Sequence, residues 1–225
     1  MIRGFEMEDV MKRLVDSLKF CDPENEGRYT INGIFLTSGY VYSTDGAIAY
    51  RAKIPYEGPP VFVPYEKVRI VTSGKSHKIE KMKMEDSSLI LFCEGSPILL
   101  PISNPEKFPG QIFGFFGEDD YSAYFKLNID DNKKILLALC ESTNRIQVEV
   151  KDAEVRFYAK DSGVDCSFRV LSQGGCVGSS AVISSVLLLD SISSLSGLVD
   201  VFLSRLRMKL KSDEVEIVLA TIYIT

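Results

Sequence analysis

The order of amphipathic segments repeats along the chain, and that repeat restricts the fold more than any other feature. From Glu6 to Phe20, Met7, Val10, Met11, Leu14 and Leu18 fall on one helical face, with Asp9, Lys12, Arg13, Asp16 and Lys19 elsewhere. The spacing predicts a helix that stops before Asp22-Pro23. Short strands are expected over Tyr29 to Thr37, Gly39 to Ser43 and Ile48 to Ile54, the last two joined by a tight turn at Thr44-Asp45-Gly46. After Gly58-Pro59-Pro60, the segment Val61-Phe62-Val63-Pro64 leads into a second helix, Tyr65 to Thr72. Pro64 suits its first turn, and Tyr65, Val68 and Val71 form its apolar stripe. Three strands follow, Lys78 to Met84, Ser88 to Cys93 and Pro97 to Ser103.

The second half runs through the same series. A strand, Tyr121 to Asn128, enters a helix from Asp130 to Ser142 carrying Ile135, Leu136 and Leu139. Strands Ile146 to Lys151, Glu154 to Lys160 and Val164 to Leu171 precede another helix, Ser184 to Leu195. Val199 to Leu203, Leu206 to Lys211 and Val215 to Ile224 complete the set. Corresponding helices lie roughly 120 residues apart, the mark of two domains of one plan. The expected fold class is α+β, with two similar domains that each set two helices on one face of mostly antiparallel sheets. The domains are placed at 1–117, including a linker from about residue 105, and 118–225. The boundary falls in Pro105 to Asp120, where proline, glycine and acidic residues gather. A chain of 225 residues accommodates two such domains.

Composition then narrows the function. The chain is 45% hydrophobic and 25% charged, which excludes a disordered or fibrous protein. Its net charge of −5 excludes a generally basic coat for nucleic acid, so any contact with DNA must use a local face. Residues 1–117 hold 14 basic and 15 acidic side chains and residues 118–225 hold 12 and 16, so the acidity leans to the second half. No apolar run approaches the roughly 18 residues that span a bilayer, and the start of the chain turns acidic at once. A soluble, cytoplasmic protein is expected. The five cysteines, Cys21, Cys93, Cys140, Cys166 and Cys176, are scattered without a C-x-x-C spacing and read as small buried hydrophobes.

The inventory for catalysis is thin. His77 is the one histidine, and it sits in the polar turn Ser73-Gly74-Lys75-Ser76-His77-Lys78, where it reads as a solvated loop residue. Gly74-Lys75-Ser76 resembles the end of a P-loop, but the position five residues before Gly74 is Arg69 and not glycine. Gly174-Gly175-Cys176-Val177-Gly178 does not fit a dinucleotide fingerprint. Of the paired carboxylates, Asp119-Asp120 belongs to an acidic linker. Asp130-Asp131 stands at a helix start, where acids serve the free N–H groups. No catalytic residue, metal site or cofactor is expected.

Three local patterns in the first half resemble the DNA polymerase sliding clamps, the ring family that includes the bacterial beta clamp and proliferating cell nuclear antigen. Ser43-Thr44-Asp45-Gly46-Ala47-Ile48-Ala49 is similar to the alanine-threonine-aspartate-glycine hairpin of bacterial clamps. Val63-Pro64 before a short helix resembles their valine-proline helix start. Leu99-Leu100-Pro101-Ile102 with Phe108-Pro109 resembles the last strand and exit of a clamp domain. The second half matches in element order and in its apolar terminal strand.

The resemblance implies a topological mechanism with no chemistry. Domains would join head to tail into a closed ring of six, helices lining the hole, which two domains per chain complete as a homotrimer. The contact would pair the strand around Pro97 to Ser103 with the strand around Val164 to Leu171 of a neighbour, and prolines suit such an edge. Duplex DNA would thread the hole without being read in sequence, held at its phosphates by Lys12, Arg13, Lys19, Lys67, Arg69, Lys133 and Lys134, with Lys75 in a nearby loop. The fourth helix departs from that pattern. Its polar face reads as Ser184, Ser185, Ser191 and Ser194 with Asp190, so the second domain's contact should be weakly positive and sensitive to salt.

A short peptide from the polymerase or clamp loader would enter an apolar pocket. The matching positions are Thr44, Gly46, Ala47 and Ala49 at the hairpin, Phe115 and Phe116 in the aromatic linker, and Val218, Ala220 and Ile222 on the terminal strand. The implied function is a processivity factor that tethers a replicative polymerase, and two domains with bacterial-type motifs suit a phage or viral replisome in the host cytoplasm. Two alternatives stand beside it. One is an α+β scaffold that oligomerises through sheet edges without binding DNA. The other is an enzyme holding a divalent metal at Asp130 and Asp131.

Overall fold

The computed structural model describes residues 7–25, 31–72, 79–85, 88–93, 96–103, 108–117, 121–151, 154–159, 164–168 and 179–222. The chain divides into two compact units, Met1–Phe113 and Gly114–Thr225.

In the first unit, α1 (Met7–Leu18) is followed by the antiparallel strands β1 (Gly33–Thr37), β2 (Tyr40–Thr44) and β3 (Ile48–Lys53). A fourth strand, β4 (Val61–Pro64), joins β1 on its other side and runs directly into α2 (Tyr65–Thr72). The second sheet is a three-stranded meander of β5 (Ile79–Glu85), β6 (Ser88–Cys93) and β7 (Ser96–Pro101). The two helices pack together. Strand alternation sends Ile34, Leu36, Val41, Tyr50, Ala52, Val61 and Val63 into the core. The sequence reading takes Val61–Pro64 for a run-in to the helix. Four residues of continuous apolar character give no period to separate the two states, and pairing of Phe35 with Phe62 decides for strand.

Gly33 is required by that pairing, because a Cβ there would meet the Val63 carbonyl oxygen at 2.3 Å and the Phe62 ring at 2.7 Å. On that same face, away from Ile34 and Leu36, Phe35 stacks on Phe108 with centroids 4.6 Å apart, and Tyr42 meets the edge of Phe113 at 4.9 Å. Residues leaving the first unit therefore pack as aromatic cover on its sheet. A helical turn, α3 (Ile112–Phe115), stands where the sequence suggests an irregular linker.

The second unit is built from two halves of the form strand, helix, three strands. The first half is β8 (Ala123–Asn128), α4 (Ile129–Ser142), β9 (Arg145–Lys151), β10 (Glu154–Ala159) and β11 (Val164–Phe168). The second is β12 (Ser179–Ser184), α5 (Ser185–Ser194), β13 (Leu198–Leu203), β14 (Arg207–Lys211) and β15 (Val215–Ala220). The leading strands are exchanged. β8 pairs with β13 and β12 pairs with β9, so each half completes the sheet of the other. In the first unit β4 bears the same relation to β1. The expected α+β class, with helix pairs and antiparallel sheets, is what the structure shows. β12 is absent from the sequence reading, which begins the last helix straight after a glycine-rich loop.

Candidate functional site

Two kinds of surface come from the sequence: a basic helix face and an apolar pocket. On α1, Lys12, Asp16 and Lys19 follow the i, i+4, i+7 spacing of one face. The Asp16 carboxylate, with 6% of its side chain exposed, accepts from Lys12 Nζ at 2.8 Å on Oδ2 and from Lys19 Nζ at 2.7 Å on Oδ1. The two lysine side chains are 59% and 35% exposed. Arg13 corrects the expectation. It is buried, and its guanidinium donates to the backbone carbonyl of Lys53 on β3, so it fixes α1 to the sheet and is not on the outer face. Beneath it the Tyr50 hydroxyl donates to the Arg13 carbonyl, and burial with the nearby Asp16 raises that phenol's pKa.

On α2, Lys67 is exposed and Arg69 pairs with Glu66 at 3.3 Å. On α4, Lys134 is exposed and Lys133 half-buried. Lys75, His77 and the Gly74-Lys75-Ser76 fragment lie outside the described residues, as do Asp119, Asp120 and Gly174 to Gly178. α5 corrects a second expectation. Ser185, Ser191 and Ser194 are buried, and α5 packs against α4. Ser191 donates to the Leu187 carbonyl at 2.7 Å and Ser194 to that of Asp190 at 3.1 Å, which satisfies each hydroxyl within the helix. The outward side chains of α5 include Val186 and Ser193.

The acidic pair at the start of α4 is engaged in holding the helix. Asn128 is the cap, its side-chain oxygen accepting from the amides of Asp130 and Asp131. The Asp131 carboxylate accepts from the Asn128 amide group at 2.6 Å, and that of Asp130 accepts from the Gly197 backbone N–H at 2.9 Å. Among the described residues no cluster of three or more His, Cys, Asp or Glu could hold a metal. Cys21, Cys93 and Cys140 are buried free thiols, as the sequence suggests for them, and burial with Glu141 nearby pushes Cys140 up to about 12. The side chain of Cys166 and the whole of Cys176 lie outside the description.

The pocket candidates divide between the units. In the first, the hairpin between β2 and β3 is built by Asp45, whose carboxylate accepts from the amides of Ala47 and Ile48, and by Gly46 at φ +96°, a value that favours glycine. Thr44 is buried and donates to the Ile48 carbonyl at 2.6 Å. Ala49 is buried too, while Gly46 and Ala47 are exposed.

In the second unit, Phe116 and Val218 are buried, Ala220 and Phe115 are exposed, and Ile222 is half-buried in an isolated bridge with Val182. Register places Arg207 opposite Ala220 and Lys209 opposite Val218, and the Arg207 guanidinium lies 5.6 Å from the Phe115 ring centroid. Phe115, Val218 and Ala220 are thereby brought to one region of one sheet face. The organiser of that region is Lys209. Its buried ammonium lies 5.9 Å from the ring centroids of both Tyr121 and Phe202 and donates to the carbonyls of Phe116 and Gly117, both at 3.0 Å. The sequence reading missed it, since a lysine between Met208 and Leu210 reads as an ordinary outward position on a strand.

Strand edges are the remaining feature. β7 is an outer strand of its sheet and β11 of its own, and these are the two strands the resemblance nominates for contact between chains. β7 carries Pro97 and Pro101 and an exposed Leu99. No described helix is long and apolar enough to cross a membrane.

Comparison with known proteins places this geometry. No family model matches the chain, and no curated protein matches its sequence. Solved structures do. A DNA polymerase sliding clamp from Pseudomonas aeruginosa superposes with a TM-score of 0.76 at 13% identity, over 96% of this chain and 65% of that one. A DNA polymerase III beta subunit from Thermotoga maritima gives 0.77 at 12%, over 98% and 63%. A beta sliding clamp from Caulobacter crescentus gives 0.76 at 16%, over 96% and 64%. The fold is thus that of the bacterial clamps, and the chain spans just under two thirds of the length of those it matches.

Proposed function

We propose that this protein is a sliding clamp: a processivity factor without catalytic activity that closes as a ring around duplex DNA and tethers a replicative polymerase. The observation that carries the reading is likeness to clamp structures along 96% to 98% of the chain. A chain of two units, matching just under two thirds of a bacterial clamp chain, reaches six domains as a homotrimer.

The ring contact pairs β7 of one copy with β11 of the next, which covers the exposed Leu99 edge. Duplex phosphates meet the outward cations Lys12, Lys19, Lys67, Arg69, Lys133 and Lys134, and Arg13 leaves the set because it is buried. Short peptides of the polymerase and its loader take the second-unit surface of Phe115 and Ala220 beside Phe116, Val218 and Ile222, and Thr44, Gly46, Ala47 and Ala49 are the first unit's own candidates for such contacts. A domain boundary near residue 117 and a phage or viral replisome in the host cytoplasm belong to the same proposal.

The test is native mass by light scattering across a concentration series, followed by retention on DNA. The expected species is a trimer at about 75 kDa, three times 25.1 kDa. It should stay on closed circular duplex once loaded and slide from the linearised form. A dimer at every concentration, or equal loss from circular and linear DNA, overturns the ring.

A further inference from the structure

We infer that Lys209 is a positioning residue for the peptide surface of the second unit: it holds the turn at residues 114–117 so that Phe115 stands as a fixed wall for an apolar peptide side chain. The inference rests on the peptide-binding reading above and adds a buried cation to a surface otherwise described by its apolar side chains.

The turn has little in its own sequence to hold it. Two of its four residues are glycines, Gly114 and Gly117, and a Cβ at Gly114 would meet nothing within 4 Å, so the backbone there is lightly restrained. The Gly117 N–H closes the turn on the Gly114 carbonyl at 3.2 Å. Further support comes from one face of β14, where Arg207 and Lys209 stand two residues apart and point to the same side. The Arg207 guanidinium lies 5.6 Å from the Phe115 ring centroid, and the Lys209 ammonium takes the next two residues by their backbone, donating to the carbonyls of Phe116 and Gly117.

Those two bonds are charge-assisted, and Lys209 is 6% exposed, so water competes little with the ammonium for its acceptors. Phe116 is buried and serves as the anchor, whereas Phe115 keeps 42% of its surface. Ala220, the register partner of Arg207, is exposed in the same region. A large fixed ring near a small residue admits an apolar side chain without the wall having to be ordered first. A freed ring would pass that ordering cost to the ligand.

The test has two readouts on the full-length protein. The chain contains no tryptophan, so Phe115→Trp places a single emitter on the turn. Time-resolved anisotropy of that indole is compared with position 209 as lysine, with Lys209→Arg and with Lys209→Met. Affinity is then measured for dodecapeptides selected from a random library on the wild-type protein and kept only where Phe115→Ala abolishes their binding. Ile146→Val, at a buried position of β9 in another sheet, is the control that lowers stability without touching the turn.

Lys209→Met is expected to release a fast local motion of the indole and to weaken peptide binding about two- to tenfold. Lys209→Arg should restore most of both, and Ile146→Val should change neither. An indole equally immobile in all three backgrounds, or a peptide affinity in Lys209→Met that matches Ile146→Val, overturns the inference and leaves the peptide surface in place. Losses in Lys209→Arg as large as those in Lys209→Met overturn it as well. A library that yields no Phe115-dependent peptide overturns the surface and the inference together. If Lys209→Met does not fold, Lys209→Gln, shorter and uncharged, decides on the same two readouts with the same expected losses.

Discussion

Lys209→Met removes one charge from the second unit and keeps an unbranched apolar stem opposite Phe202, its register partner on β13. What disappears is the pair of 3.0 Å bonds from the ammonium to the carbonyls of Phe116 and Gly117. Phe116 is buried and Gly117 exposed, so water reaches only the second acceptor. The stranded Phe116 carbonyl costs about 1–3 kcal/mol. Glu216 also loses a cation at 3.8 Å but keeps Lys211 at 3.6 Å.

A loss of about 1–3 kcal/mol is expected, and for a unit of this size each kcal/mol moves the midpoint by about 4 °C. Thermal melting should therefore shift downward by about 4–12 °C. Urea unfolding should show a lower midpoint with an unchanged slope. Lys209→Arg, which keeps a buried donor group, should lose less than half as much. The reasoning fails if methionine costs under about 0.5 kcal/mol, or if arginine costs as much as methionine.

Gly33→Ala is expected to prevent stable folding of the first unit, since its Cβ would lie 2.3 Å from a backbone oxygen that β-pairing holds in place. Gly46→Ala, in open space at positive φ, should cost only about 1 kcal/mol by chemical denaturation. Alkaline stability should fall for a defined reason. Cys21, Cys140 and Tyr50 all have pKa values raised by burial, so the unfolded chain releases these protons first and stability drains as pH rises above about 9. Cys140→Ala should make the decline between pH 9 and 12 shallower in a urea titration at each pH, and an unaltered decline would refute the assignment.

Helices and strands with a clear period were legible in the sequence, as the registers of Ser88–Cys93 and Tyr65–Thr72 illustrate. The misses share a physical cause: a partner distant in sequence decides them. Arg13 reads as outward because arginine on an amphipathic helix usually is, yet a carbonyl 40 residues on satisfies it in the interior. The serines of α5 read as a polar stripe, but hydroxyls that bond their own helix carbonyls behave as small packing residues against α4. Lys209 finds acceptors more than 90 residues earlier, which no local pattern announces. For the candidate surfaces, the Asp45-Gly46 hairpin could be read directly from residue types. The grouping of Phe115 with Val218 and Ala220 needed the pairing of β14 and β15.

The exchange of leading strands in the second unit makes its two halves mutual hostages. Because β8 finishes one sheet from across the helix pair and β12 finishes the other, neither half possesses a whole sheet of its own. Peeling away either half would bare a row of backbone groups on the half left behind, so opening on one side is penalised on both. Load applied to one sheet is accordingly shared with the other.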